Sequence, residues 1–451
     1  MASLLALSAE LKLSIIEQLG LASTSFIPAP SPDIISLSRV CKVFRVLSLP
    51  YLLKDITLLN DEKSGSSVSS ILNSPYAEHV RTLHYIGIMP MAPDPSLEKE
   101  EPIRQPSPED LPESTEHVLS NLAKFVNLEQ LIVEFRCGKT EEEDKEIYRD
   151  TYDIYKELEG HEKVLEAEKT DAFRSLNKRT YDAITQNSPS TIQSLELRNV
   201  VVELCSTWDS PAFKELLEDL SAFSISLRGG DNGAGWQINR VQAYINFVER
   251  FHTLFFEHMS NLKHLRISAT TDGPPGLDGG MNNAALQLRE DNLPNLETLE
   301  LEYVFISKDL AAFIVAHASS LTTVRLRHCY SGLDENNCAE EVAISWGEFF
   351  TIIASANLSR LRVFEVGPSD LETKQPSAPS EYGHDQAVRA KELREKFPGR
   401  RMLDYKTVDD KYGMLFDGEG FDHFEEGTDH AGWERLCEVL KQGSGLDTSP
   451  E

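Results

Sequence analysis

The chain has 451 residues, and its 44 basic and 73 acidic side chains give a net charge of −29 near neutral pH. A pI near 4.8 sets the long-range field against a phosphate backbone or an anionic membrane, so neither nucleic acid nor membrane is expected as a partner. No apolar run approaches the roughly 18 residues of a membrane span, and 8% aromatic residues with a mean hydropathy of −0.32 fit a folded, soluble chain. The start, Met1 to Leu7, has no basic residue and meets Glu10 and Lys12 at once, so a secretory signal is not expected. The six cysteines (Cys41, Cys137, Cys205, Cys329, Cys338, Cys437) are too sparse for a disulfide scaffold and include no Cys-x-x-Cys pair. Buried thiols in a reducing compartment are expected, which places the protein inside the cell, in cytoplasm or nucleus. Asn357-Leu358-Ser359 is then a chance glycosylation-type triplet.

Leu7, Leu11, Ile15 and Leu19 recur every four residues, with Leu13 and Ile16 beside them, and predict a helix of about three turns. Ser8 can cap it, Glu10 suits its positive end, and Gly20 is a plausible stop. After a linker from Leu21 to Pro30, Ser31-Pro32-Asp33 reads as cap, first-turn proline and first-turn acid. Ile34, Leu37, Val40, Cys41 and Phe44 make the next apolar stripe, and Pro50 bounds a third segment carrying Val46, Leu47, Leu49, Leu52 and Leu53. So small a bundle cannot bury all these side chains alone. The rest of the chain or a partner has to cover some of them.

Leu7-Ser8-Ala9-Glu10-Leu11 through Leu19, followed by Asp33 to Phe44 with Val40-Cys41-Lys42, resembles the F-box family. That pattern runs Leu-Pro-x-Glu-hydrophobic, a leucine/isoleucine helix, then a leucine ahead of Val-Cys-Lys/Arg-x-aromatic. Here Ser8 stands where proline is usual, and the first two helices are further apart than is typical. The resemblance implies docking on a Skp-type adaptor, and through it on a cullin-RING ubiquitin ligase. The adaptor-binding residues it implies are Leu7, Leu11, Ile15, Ile16, Leu19, Ile34, Leu37, Val40, Cys41 and Phe44. The alternative is a helical bundle that packs on its own chain.

A degenerate Leu-x-x-Leu-x-Leu pattern follows, centred on Ile56, Leu83, Leu131, Leu195, Phe223, Leu265, Leu299, Val324 and Phe364. Each match is a short alternating strand with inward apolar residues, and the residues between, such as Glu300, Arg325 and Glu365, line an exposed face. Helical spacing appears at Val118-Leu122-Phe125, Phe247-Phe251-Leu254-His258, Leu310-Phe313-Ile314-His317 and Trp346-Phe349-Phe350-Ile353. The expected fold class is therefore α/β: an N-terminal three-helix module (1–58), then an irregular leucine-rich-repeat solenoid of strands and helices (59–368). The centres lie 25 to 64 residues apart, against about 20–29 for a regular repeat, so insertions are placed at about 90–117, 139–188 and 269–292. An ordinary α/β domain is the alternative.

Pro90 to Pro112 reads as an exposed loop. Glu141 to Thr170 holds 12 acids and 5 bases, while Tyr148, Tyr152, Tyr155 and Leu158 predict a long amphipathic helix. Ala269 to Asn283, with Gly273-Pro274-Pro275-Gly276 and Gly279-Gly280, reads as a flexible edge loop. Residues 369–451 are a polar linker and C-terminal cap: Ser369 to Arg400 polar, a strand at Met402 to Val408 continued at Met414-Leu415-Phe416, and a closing helix. That helix carries Trp433, Leu436, Cys437 and Leu440, with Thr428 or Asp429 near its cap. The ending is similar to that of fungal-type F-box/leucine-rich-repeat proteins.

Catalytic patterns are missing from the sequence. Gly229 to Gly235 lacks both the P-loop ending and the dinucleotide-binding spacing, and reads as a turn. There is no His-Glu-x-x-His and no Gly-x-Ser-x-Gly. His258 with His264, and His423 with His430, are poor metal pairs, and Asp417-Gly418-Glu419-Gly420 fails the calcium-loop template. Cys41 is an apolar position rather than a nucleophile. No catalytic residue, metal or cofactor is expected. The family resemblance implies a non-enzymatic substrate receptor of a Skp–cullin–F-box ligase, its repeats holding an unknown target protein, and the chain's acidity favours a basic patch on that target. The alternative is a leucine-rich-repeat interaction scaffold outside any ligase.

Overall fold

A computed structural model describes residues 7–21, 31–89, 105–138, 160–231, 235–277, 282–332, 343–367, 369, 384–418 and 420–444. Two compact units are present, one built from residues 7–138, 161–197 and 205–219, the other from 198–204 and 220–444. Both are mixed α/β, and both are organised on parallel strands.

In the first unit, three helices, α1 (Ala9–Leu21), α2 (Pro32–Ser38) and α3 (Lys42–Leu52), precede β1 (Asp55–Leu59). The unit continues through α4 (Glu62–Leu72), β2 (Thr82–Ile88), α5 (Glu113–Leu119), β3 (Gln130–Arg136), α6 (His161–Thr170), α7 (Ala172–Gln186), the start of β4 (Ser194–Val200) and α8 (Pro211–Glu218). β1 pairs parallel with β2, and β2 with β3. Gln193 and Ser194 N–H groups donate to the Glu129 carbonyl at the entry to β4. The inward residues Leu83, Tyr85, Leu131, Val133 and Phe135 bury against helices. Phe135 meets Phe173 of α7 edge-on at 5.6 Å, and Tyr181 of the same helix packs on Trp208 at 5.4 Å and Phe213 at 5.9 Å.

In the second unit, β5 (Ala222–Leu227), β6 (His264–Ser268), β7 (Thr298–Glu302), β9 (Thr323–Arg327) and β11 (Val363–Val366) are joined in that order, all parallel. Between them lie α9 (Gln242–Val248), α10 (Phe251–Leu254), α11 (Lys308–Ala316) and α12 (Trp346–Ala354), and the two-residue strands β8 (Phe305–Ile306) and β10 (Tyr330–Ser331) pair parallel with each other. α11 and α12 begin as their sequences dictate: Ser307 Oγ accepts from Leu310 N–H, and Ser345 with Glu348 forms a capping box. After the β7 and β9 leucines the chain turns left-handed at non-glycine residues, Tyr303 (φ +57°) and His328 (φ +48°). Their rings stack at 5.0 Å.

The last strand is closed by α13 (His384–Lys396), the antiparallel pair β12 (Lys406–Val408) and β13 (Leu415–Asp417), α14 (Gly420–Glu426) and α15 (Thr428–Ser444). Trp433 of α15 meets Phe350 at 5.2 Å and Phe364 at 6.2 Å. The helices α12 and α15 touch backbone to backbone: a Cβ on Gly432 would lie 2.5 Å from the Gly347 carbonyl oxygen. Asp429 accepts hydrogen bonds from Gly347 N–H (2.8 Å) and from the Tyr405 hydroxyl (3.0 Å). Its acid strength is lowered by burial, which raises the carboxyl pKa above its ordinary value.

All nine segments expected as strands are strands, and their central residues are buried. Several local expectations need correction. α1 runs one residue past Gly20. Pro50 lies inside α3 rather than bounding it: the bond its N–H would have made is lost, and Leu53 N–H closes the helix on the Leu49 carbonyl at 3.0 Å. Phe44 therefore belongs to α3, because the chain breaks at 39–41. Leu111 and Asp110 are buried, so the described end of the 90–112 stretch is no open loop. The described parts of 269–283 are not flexible edge either. Leu277 sits in a cluster with Phe305, Tyr330, Ala343 and Val408, and Gly276 (φ +123°) comes so close to the Phe305 carbonyl that no Cβ would fit. α7, assigned from sequence to an insertion, is core. α13 was read as polar linker, yet buries Ala387, Ala390 and Leu393. Tyr148, Tyr152, Tyr155, Leu158, Gly279, Gly280 and Cys338 lie outside the described residues.

Candidate protein-interaction site

The three N-terminal helices form a small module with its own core. Ile16 of α1, Ile34 of α2 and Phe44 of α3 are buried together, and Leu19, Leu37, Cys41, Leu47, Tyr51 and Leu52 pack partly buried around them. On α3 the spacing Phe44, Leu47, Tyr51 puts one apolar stripe against that core. Ser8 Oγ accepts from Leu11 N–H at the start of α1, and its bond to Glu10 holds that carboxyl below its ordinary value. Burial raises the Tyr51 hydroxyl pKa, and the nearby Glu17 carboxylate adds to the effect.

A second apolar stripe faces solvent. Val40, in the turn into α3, is 57% exposed, and Val43 and Val46, one turn apart on α3, are 50% and 64% exposed. Leu11 and Leu13 of α1 are exposed as well. Lone exposed apolar residues are ordinary, but three at helical spacing along one short segment form a contiguous strip of the kind that marks interaction sites.

The structure divides the ten expected contact residues into three groups. Leu11 and Val40 are exposed; Leu7, Ile15, Leu19, Leu37 and Cys41 are half-buried; Ile16, Ile34 and Phe44 are covered by the module itself. The last three were expected at a contact surface and are instead the module's interior, because they lie on the faces by which α1, α2 and α3 meet. Leu13 and Val46 were read from sequence as apolar helix residues but not as contact residues, and Val43 was not weighed at all. The signal was present, since α3 carries two apolar stripes, and a helix packed on one side can bury only one of them.

A second surface lies on the second unit's strands. The side chains that alternate with the inward leucines form a ladder across β6, β7, β9 and β11. Arg266 pairs with Glu302 at 3.0 Å, and Arg325 with both Glu300 (2.6 Å) and Glu365 (2.9 Å). The hydrogen bonds that Arg325 donates to Glu300 and Glu365 raise its pKa above its usual value. The face expected to be exposed and charged is so, but its charges largely compensate one another rather than presenting a purely acidic surface.

Burial pushes the Cys205 and Cys329 thiols up to about 12, the opposite of what a nucleophile needs. Cys41 packs beside the module core. Among the described residues, no group of three or more His, Cys, Asp or Glu is placed to hold a metal ion. No helix among them is long and apolar enough to cross a membrane. The chain matches no protein-family model and no curated protein.

Proposed function

We propose that the chain is the substrate-recognition subunit of a Skp–cullin–F-box ubiquitin ligase: an F-box module of α1 to α3 holds a Skp-type adaptor, and irregular leucine-rich repeats hold a target protein. The observation that carries this reading is the exposed Val40-Val43-Val46 strip, on the segment whose sequence resembles an F-box. Burying three such side chains contributes several kcal/mol at roughly 25 cal/mol per Å². The role is non-catalytic. A receptor of this kind accelerates transfer by raising the effective concentration of target lysines near a conjugating enzyme held elsewhere in the complex. The charge-compensated ladder of Arg266, Glu300, Glu302, Arg325 and Glu365 is the surface favoured for the target. Specificity there comes from the positions of paired charges rather than from net sign.

A second reading, a repeat scaffold outside any ligase, is favoured by one observation: Ile34 and Phe44 are already covered by the module itself, as in a terminal cap. Co-purification of the full chain with a Skp-type adaptor separates the two. Stoichiometric capture is expected, and Val43→Asp with Val46→Asp should reduce it at least tenfold. Both positions face solvent, so the melting profile of the free chain should stay within a few degrees. No capture by the unaltered chain would leave the scaffold reading standing.

A further inference from the structure

The valine strip does not stand alone. Arg39, Lys42 and Arg45 are exposed between and beside Val40, Val43 and Val46, and none of the three makes a side-chain ion pair or hydrogen bond among the described residues. Residues 31–54 hold four basic side chains (Arg39, Lys42, Arg45, Lys54) against one acid, Asp33, a local charge of +3 in a chain of net −29. Lys42 and Arg45 are one helical turn apart, a like-charge arrangement that slightly destabilises α3, and no acid on that helix offsets it. Several exposed cations elsewhere are paired. Arg81 pairs with Glu129, Arg266 with Glu302, and Lys396 with Glu425.

We infer that the partner surface seated on the α2–α3 corner is an acidic protein surface, with carboxylates ringing an apolar centre, and that its docking is steered electrostatically. This rests on the receptor reading and adds the chemistry of the bound face to it. The valines supply the desolvated centre of the interface, and the cations supply its rim. Rim charges act mainly on the rate of encounter and its salt dependence, whereas the apolar centre sets the lifetime of the complex. The Debye length of about 10 Å at 0.1 M salt lets this local positive field act although the chain as a whole is acidic.

The test uses the full chain and a Skp-type adaptor as probe, with association and dissociation measured from about 20 mM to about 300 mM salt. The association rate should fall about tenfold over that range, with the dissociation rate nearly constant. Arg39→Glu, Lys42→Glu and Arg45→Glu together should slow association about tenfold at low salt and remove most of its salt dependence. The corresponding triple Gln variant should fall between, which separates charge from misfolding. Adaptor capture with a salt-independent association rate would overturn the inference and leave the receptor reading intact; no capture at any salt would overturn both. The inference also falls if the chain forms a salt-sensitive dimer through this corner, or binds phosphatidylserine vesicles through Arg39, Lys42 and Arg45 in preference to the adaptor.

Discussion

On β2 and β3 the side chains that alternate with the inward apolar residues are buried, His84 at 1% and Glu134 at 4% exposure. On β7, β9 and β11 the corresponding residues Glu300, Arg325 and Glu365 meet solvent. Both sets lie on parallel strands with the same inward pattern, and both are ion-paired. In the first unit His84 Nε2 lies 2.7 Å from Glu134 Oε2, and Arg136 donates to the other Glu134 oxygen. Burial alone would raise the Glu134 pKa, but hydrogen bonds and charge from His84 and Arg136 outweigh it and hold the carboxyl at about 2. The leucine pattern thus fixes which face packs on the helices and leaves open whether the other face is core or surface. The same kind of contact is buried in one unit and open to water in the other, so it is expected to be structural in the first and dispensable in the second.

Three measurements test that contrast. Glu134→Ala strips the carboxylate from a buried pair and leaves His84 and Arg136 without it, so it should cost about 3–5 kcal/mol. Hydrogen exchange across β2 and β3 would locate the loss, and a cost near zero would show that the buried pair is no more structural than a surface one. Acid should act on the same site. A carboxyl whose folded pKa is about 2 against an ordinary 4.5 contributes stability that is complete above about pH 4.5 and lost as pH falls through about 2, roughly 3 kcal/mol in all. Denaturant melts between pH 5 and pH 2 should therefore slope less steeply for Glu134→Gln than for the unaltered chain. Equal slopes would remove Glu134 as the source. Arg325→Ala breaks two pairs that water already screens and should cost under about 1 kcal/mol. A larger loss by calorimetry would mean that the ladder holds the second unit together.

What could be read from sequence follows from which physical signal is local. Strand period two is local, and Leu83, Leu131, Leu299 and Val324 announced it. Caps are local too, so Ser31-Pro32-Asp33 marked a helix start that the structure shows, with α2 beginning at Pro32. Whether an apolar residue faces the module or the solvent is not local. Phe44 and Val43 are neighbours with equal claims to burial, and only the meeting of α1, α2 and α3 assigns one to the core and leaves the other outside. Tyr181 and Phe173 were lost to a reading dominated by the acidic stretch before them, and Gly276 to one that took Gly-Pro clusters for loose turns. In each case charge or turn chemistry hid a residue that long-range packing had claimed.

Tyr303 and His328 add a different kind of coupling. Each occupies a left-handed backbone conformation that costs a non-glycine residue about 1 kcal/mol or more, and each offers its ring to the other across adjacent strand ends. The two strained turns thus share one compensation. Removing either ring takes this stack from the other strained turn, so the two sites are energetically coupled. Neighbouring strands are fastened at this end by a side-chain clasp laid over the Tyr303 N–H to Arg327 carbonyl bond, and drift at one position constrains what the other can become.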